Sequence, residues 1–143
     1  MTFEELSLDL ADYVDERSLE RFDLVGHSMG GTTAWLYAAT HPERVRRLVL
    51  IECPVLRPNP GFPIRLSGDG DLEPDPSWPL LVARVACPTL VIRSLRSPLR
   101  ERTAELAKLI PGAELASLDG GHHLHLDSQG ALLAEVIRFL GGE

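Results

Sequence analysis

The chain reads as an α/β protein, a mostly parallel sheet of about four strands with helices on its faces. Two features carry this reading. Short apolar runs rich in β-branched residues alternate with stretches of helical spacing, and glycine or proline marks most junctions between them. The 143 residues are enough for one domain with a real core. Hydrophobic residues make up 44% and charged residues 24%, which is ordinary globular usage and argues against disorder.

In chain order, Thr2-Phe3-Glu4-Glu5 has the form of a capping box, which starts a helix. Leu6, Leu10, Tyr13 and Val14 then recur at helical spacing for about four turns. Arg21 to Gly26 is a short strand ending at glycine, and Thr32 to Thr40 is a second helix stopped by His41-Pro42. Val45 to Ile51 is a buried strand. Residues 53–79 carry seven prolines, Pro54, Pro58, Pro60, Pro63, Pro74, Pro76 and Pro79, which argue against long regular elements and suggest an irregular, lid-like insert. Within it, Phe62 and Trp78 are the aromatic candidates for lining a pocket. Pro88 to Arg93 is a further core strand and Leu99 to Ile110 a helix. Ala113 to Leu118 is the last strand, Asp119 to Asp127 a loop, and Ala131 to Leu140 a closing helix before Gly141-Gly142.

The bulk numbers exclude some functions. A formal charge of -7 lacks the basic footprint that nucleic acid requires. No stretch approaches the roughly 20 apolar residues of a membrane span. The acidic Met1-Thr2-Phe3-Glu4-Glu5 start is unlike a signal peptide, so a cytoplasmic protein is expected. Cys53 and Cys87 lack metal-ligand spacing and read as core residues.

In parallel sheets, chemistry belongs at the carboxyl ends of the strands. Ser28, Glu52, Ser97 and His122 all fall just after strands. Gly26-His27-Ser28-Met29-Gly30-Gly31 fits G-x-S-x-G between a strand and a helix. A turn this sharp strains the serine backbone, and side chains at Gly26 and Gly30 are expected to clash. It lifts the hydroxyl clear of the sheet and sets the Met29 N–H at a helix amino terminus, where developing negative charge is favoured.

A serine hydroxyl needs a base. His27, inside the turn, is too constrained to reach its neighbour and is expected to pack or bond locally; His41 is expected to cap a helix end. The remaining histidines lie in Gly120-Gly121-His122-His123-Leu124-His125-Leu126-Asp127, where the glycines free the loop to aim a side chain over the sheet.

These motifs, with His41-Pro42-Glu43-Arg44-Val45-Arg46-Arg47-Leu48-Val49-Leu50-Ile51 and Cys87-Pro88-Thr89-Leu90-Val91-Ile92, resemble the α/β-hydrolase superfamily, in its esterase, C–C hydrolase and serine-hydrolase-like branch. The resemblance covers nearly the whole chain except the insert. It implies a nucleophile at Ser28, a base at His122, an oxyanion donor at the Met29 N–H and no cofactor. The substrate it implies is a small ester or activated carbonyl, cleaved through an acyl-enzyme. Relatives with an aspartate nucleophile are disfavoured by the serine at 28. The family's acid usually follows the strand ending here at Arg93, where this sequence has Ser94-Leu95-Arg96-Ser97-Pro98. Some members place it one strand earlier, which is Glu52; Glu52 as a plain polar strand end, and Asp119 as a weaker acid, are the alternatives.

The resemblance also implies strands ahead of the first helix, with a second oxyanion donor, that this sequence does not contain; the chain reads as the carboxy-terminal portion of the domain. Missing one donor costs about 10²–10³ in rate, so activity of this chain alone is expected to be low. The strand at residues 22–26 should then have an open edge, from which self-association is expected. A catalytically silent portion of the fold, or an interaction module, is the competing reading. A metal site at His122, His123 and His125 is disfavoured, since adjacent and alternate histidines on one loop rarely converge on an ion.

Overall fold

In the computed structural model, residues 2–55, 64–65, 71–72 and 76–141 are described. Helix α1 (Phe3–Glu16) begins at the capping box: the Glu5 N–H donates to Thr2 Oγ1 at 3.0 Å and the Thr2 N–H to Glu5 Oε2 at 2.7 Å. Strand β1 (Phe22–His27) leads into helix α2 (Met29–Thr40), and strand β2 (Val45–Ile51) follows. Two-residue strands β3 (Ile64–Arg65) and β4 (Asp71–Leu72) pair antiparallel. Helix α3 (Trp78–Val82), strand β5 (Thr89–Ser94), helix α4 (Arg100–Leu109) and strand β6 (Glu114–Leu118) come next. Helices α5 (Leu124–Asp127) and α6 (Gln129–Leu140) close the described chain.

The main sheet has the order β1-β2-β5-β6, and every pair in it is parallel. Side chains alternate across a strand, and β2 and β5 are buried on both faces for that reason. Leu48, Leu50 and Val91 join the core under α1, α2, α3 and α4, whereas Val49, Ile51, Leu90 and Ile92 join Leu124, Leu132 and Phe139 on the other face. Helix α2 lies inside the first core, with Ala34 to Ala39 all buried, as its nearly unbroken apolar sequence requires. Cys53 and Cys87 are buried core thiols. Burial pushes the Cys53 thiol up to about 12, with the Thr32 hydroxyl offsetting part of the rise.

Two elements depart from the sequence reading. Helix α3 starts inside the proline-rich insert, because Pro79 sits in its first turn, where a backbone donor has no intrahelical partner to lose. Trp78 is 2% exposed and packs edge-on against Phe3 and Trp35, with ring centroids at 5.4 and 5.7 Å, and with Trp35, Val55 and Val82 it lines a small cavity. The histidine loop contains α5, whose turn is closed by the Leu126 and Asp127 N–H groups donating to the His123 carbonyl. Phe62 and most of the insert lie outside the described residues.

Candidate active site

Parallel pairing in register aligns the carboxyl ends of the strands. His27 is level with Ile51 and Ile51 with Ile92, while Ser94 is level with Leu118. The residues just beyond β1, β2 and β6 are therefore brought to one edge of the sheet, although far apart in sequence. Backbone bonds extend the alignment: the Ser28 N–H donates to Ile51 O and the Glu52 N–H to Ile92 O, each at 2.9 Å.

Ser28 caps α2 with φ 54° and ψ -117°, a left-handed conformation that side chains avoid. Such backbone costs about 1–3 kcal/mol and persists only when its surroundings impose it. Here the turn is imposed by close packing. A Cβ at Gly26 would lie 2.5 Å from Gly30 O and 2.7 Å from Gly31 Cα, so only glycine admits this approach. The expectation for Gly30 is corrected: a Cβ there would meet nothing within 4 Å. The second tight position is Gly31, whose Cβ would lie 2.7 Å from Cys53 Cβ and 2.8 Å from its Sγ. Helical rotation explains the exchange, since Gly31 faces the sheet and Gly30 faces outward.

The Ser28 side chain is half-buried and, among the described residues, Oγ makes no hydrogen bond. Met29 is the first residue of α2, so its N–H is one of the donors a helix cannot satisfy internally. Ser28 Oγ and Met29 N–H thus flank one point at a helix amino terminus, where negative charge is favoured.

Glu52 is fully buried and also has positive φ, at 50°. Its Oε1 accepts the Ser94 N–H at 2.5 Å, and its Oε2 lies 3.3 Å from His122 Nδ1. A carboxylate this deep needs such partners, because burying an unpaired charge is costly. Ser94, at the end of β5, where the sequence lacks the expected acid, instead supplies the backbone donor that holds Glu52. Asp119 does not reach the histidine: it is exposed and pairs with Arg96 at 3.0 Å. Ser97 is a turn residue, its Oγ accepting the Leu99 N–H at 3.0 Å.

His27 differs from its expected local role. Its Nε2 lies 2.8 Å from the carbonyl oxygen of His122, 95 residues away, and must be the protonated nitrogen there. Its ring lies 5.0 Å from that of His122, 5.4 Å from that of His125 and 6.1 Å from that of His123. Burial lowers the His27 pKa most; charge on the other three imidazoles lowers it further, and the bond to the His122 carbonyl offsets part of this. This role was invisible in sequence, because nothing in the spacing of residues 27 and 122 marks a side chain meeting a backbone carbonyl. Among the described residues, no group of three or more histidine, cysteine or carboxylate side chains is arranged to hold a metal ion. No helix of the described residues is long and apolar enough to cross a membrane.

A parallel sheet covered by helices, with a strained strand-to-helix turn at a serine, is the architecture of an α/β hydrolase. The family model described as alpha/beta hydrolase fold matches residues 1–70. The chain is 38% identical over 63 residues to the mouse (lyso)-N-acylphosphatidylethanolamine lipase, a match spanning 43% of this chain and 16% of that protein. It is 55% identical over 38 residues to 2-hydroxymuconate semialdehyde hydrolase of Pseudomonas sp. (strain CF600), over 27% of this chain and 13% of the relative. The enol-lactonase from Burkholderia xenovorans LB400 superposes with a TM-score of 0.81 at 20% identity, over 99% of this chain and 74% of that one. Residues 1–70 thus match the α/β-hydrolase superfamily, and the chain as a whole has its fold. Its matched segments span only 16% and 13% of the length of these two curated relatives.

Proposed function

We propose that the chain carries the nucleophile, base and acid of a serine hydrolase that cleaves a small ester or similarly activated carbonyl. The observation that supports this best is the Glu52–His122 pair, 3.3 Å apart, at the same sheet edge as the strained Ser28. With Nδ1 facing a buried carboxylate, the imidazole is held as the Nδ1–H tautomer and its Nε2 is left as the proton acceptor. Ser28 Oγ attacks the carbonyl carbon as His122 Nε2 takes its proton, and the Met29 N–H stabilises the oxyanion. The imidazolium then protonates the leaving alkoxide, and the acyl-enzyme forms. Water, deprotonated by the same imidazole, attacks the acyl carbon and releases Ser28 and a carboxylic acid. Glu52 accepts from Nδ1 and stabilises the imidazolium. The scheme uses no cofactor.

The lipase, semialdehyde hydrolase and enol-lactonase among the similar proteins favour hydrolysis at a carbonyl, and they do not choose the substrate. A fluorophosphonate probe tests the reading. The expected result is labelling of the native protein that disappears in Ser28→Ala. Folded protein that takes up no probe, or equal labelling of Ser28→Ala, contradicts it and favours a catalytically silent portion of the fold.

A further inference from the structure

We infer that Ser94 and His27 are positioning residues that clamp the two peptide groups on either side of His122, and so aim its ring. The inference rests on the proposed role of His122 as base. Ser94 Oγ donates to the carbonyl of Gly121 at 2.5 Å, which fixes the peptide entering His122. His27 Nε2–H donates to the carbonyl of His122 at 2.8 Å, which fixes the peptide leaving it. The ring itself is tied by Nδ1 to Glu52, and Glu52 is tied in turn to the Ser94 N–H. Ser94 therefore holds both the carboxylate and the histidine backbone, one from its amide and the other from its hydroxyl.

The geometry explains why the clamp has this form. A residue such as His122, in a loop between β6 and α5, has two free backbone dihedrals that sweep the ring through space. Pinning the carbonyls before and after it removes both freedoms without touching the ring. The Gly121 N–H donating to Asp127 Oδ2 at 2.8 Å steadies the same loop from its far side. Ser94 is fully buried and stands at the end of β5, a rigid base for the hydroxyl. His27 is the last residue of β1, directly before Ser28, so the nucleophile and the base are referenced to one strand end. Ser94, the last residue of β5, stands where the resemblance would place an acid, and it serves the same histidine through its amide bond to Glu52 and its hydroxyl bond to Gly121 O.

Four variants test this on the intact chain: Ser94→Ala, His27→Phe, His27→Gln and the double variant. His27→Phe keeps a ring and removes the donor, whereas His27→Gln restores an N–H near the same place. Reaction with a fluorophosphonate is followed at several probe concentrations, so that the limiting rate and the half-saturating concentration separate. The limiting rate should fall about ten- to a hundredfold in Ser94→Ala and in His27→Phe, with half-saturation little changed. His27→Gln should recover most of the loss, and the double variant should lose less than the product of the single effects, since both act on one loop. Unchanged limiting rates overturn the inference, as does a His27→Gln variant as slow as His27→Phe.

A readout independent of reactivity separates this result from failure of the hydrolase reading. Nitrogen-15 spectra of the histidine rings should show a single Nδ1–H tautomer for His122 and a single Nε2–H tautomer for His27 in the native protein. Tautomer averaging at His122 should appear in Ser94→Ala and His27→Phe while the fold persists. An averaged His122 in the native protein overturns the clamp, whether or not Ser28 reacts. Fixed tautomers in a protein that no probe labels leave the clamp standing and sink the hydrolase reading alone.

Discussion

Ser28 and Glu52 each directly follow a strand in a left-handed backbone conformation, and at Ser28 the close approach of Gly26 to Gly30 and Gly31 imposes it. Glu52 was accessible from sequence because it directly follows a buried strand, at the position where some members of the resembling family carry their acid. Its burial and its second partner, the Ser94 amide, were not accessible, since they depend on how β2 and β5 are registered. His27 yields a prediction with a definite sign. Its folded pKa lies below the ordinary 6.5, chiefly through burial, so between those values the unfolded chain binds more protons. The contribution to stability is complete above 6.5 and is lost as pH falls through the folded value. His122, His125 and His123 face the same ring, so protonation also brings like charges together. Urea unfolding at about pH 7.5 and about pH 5 should show a loss of stability on acidification that is smaller in His27→Gln. An equal loss in both proteins contradicts this origin.

The elements that position the site were legible where one pattern dominated. The capping box of α1, the buried run of β2 and the apolar band of α2 each announced an element without help from tertiary contacts. Helix α3 did not, because prolines that block a helix interior are harmless in a first turn, and the sequence alone does not reveal where a turn begins. The turn between β1 and α2 shows the same limit at finer grain, since G-x-S-x-G marks the motif while packing decides which glycine is needed. Gly31→Ala should destabilise the protein by about 1–3 kcal/mol through overlap with Cys53. Gly30→Ala, facing open space in a helix, should be neutral or stabilise by up to about 1 kcal/mol. Paired thermal unfolding measurements check this, and a larger loss at Gly30 than at Gly31 contradicts the packing account.

Across the chain, the sheet gathers at one edge groups from residues 27 to 122 that share no local signal. Order of the elements sufficed to anticipate this, because parallel strands joined by helices leave their carboxyl ends on the same side. The same topology leaves β1 as an outer strand among the described residues, with β2 as its neighbour and Val25 46% exposed. Helix α1 packs on α2 rather than along that edge. We propose that this edge drives self-association, because unpaired strand edges template further pairing. Light scattering after gel filtration should give a mass that rises with protein concentration; a constant monomer mass with little binding of an apolar dye contradicts this.

The hydrolase account stands or falls on a covalent intermediate at one oxygen. Rapid quenching of the protein with an activated p-nitrophenyl ester, followed by peptide mass spectrometry, reads that directly. The predicted result is a transient acyl group on Ser28 that is absent in Ser28→Ala and accumulates more slowly in Glu52→Gln. Folded protein that never acquires the acyl group, or acquires it at another side chain, contradicts the account.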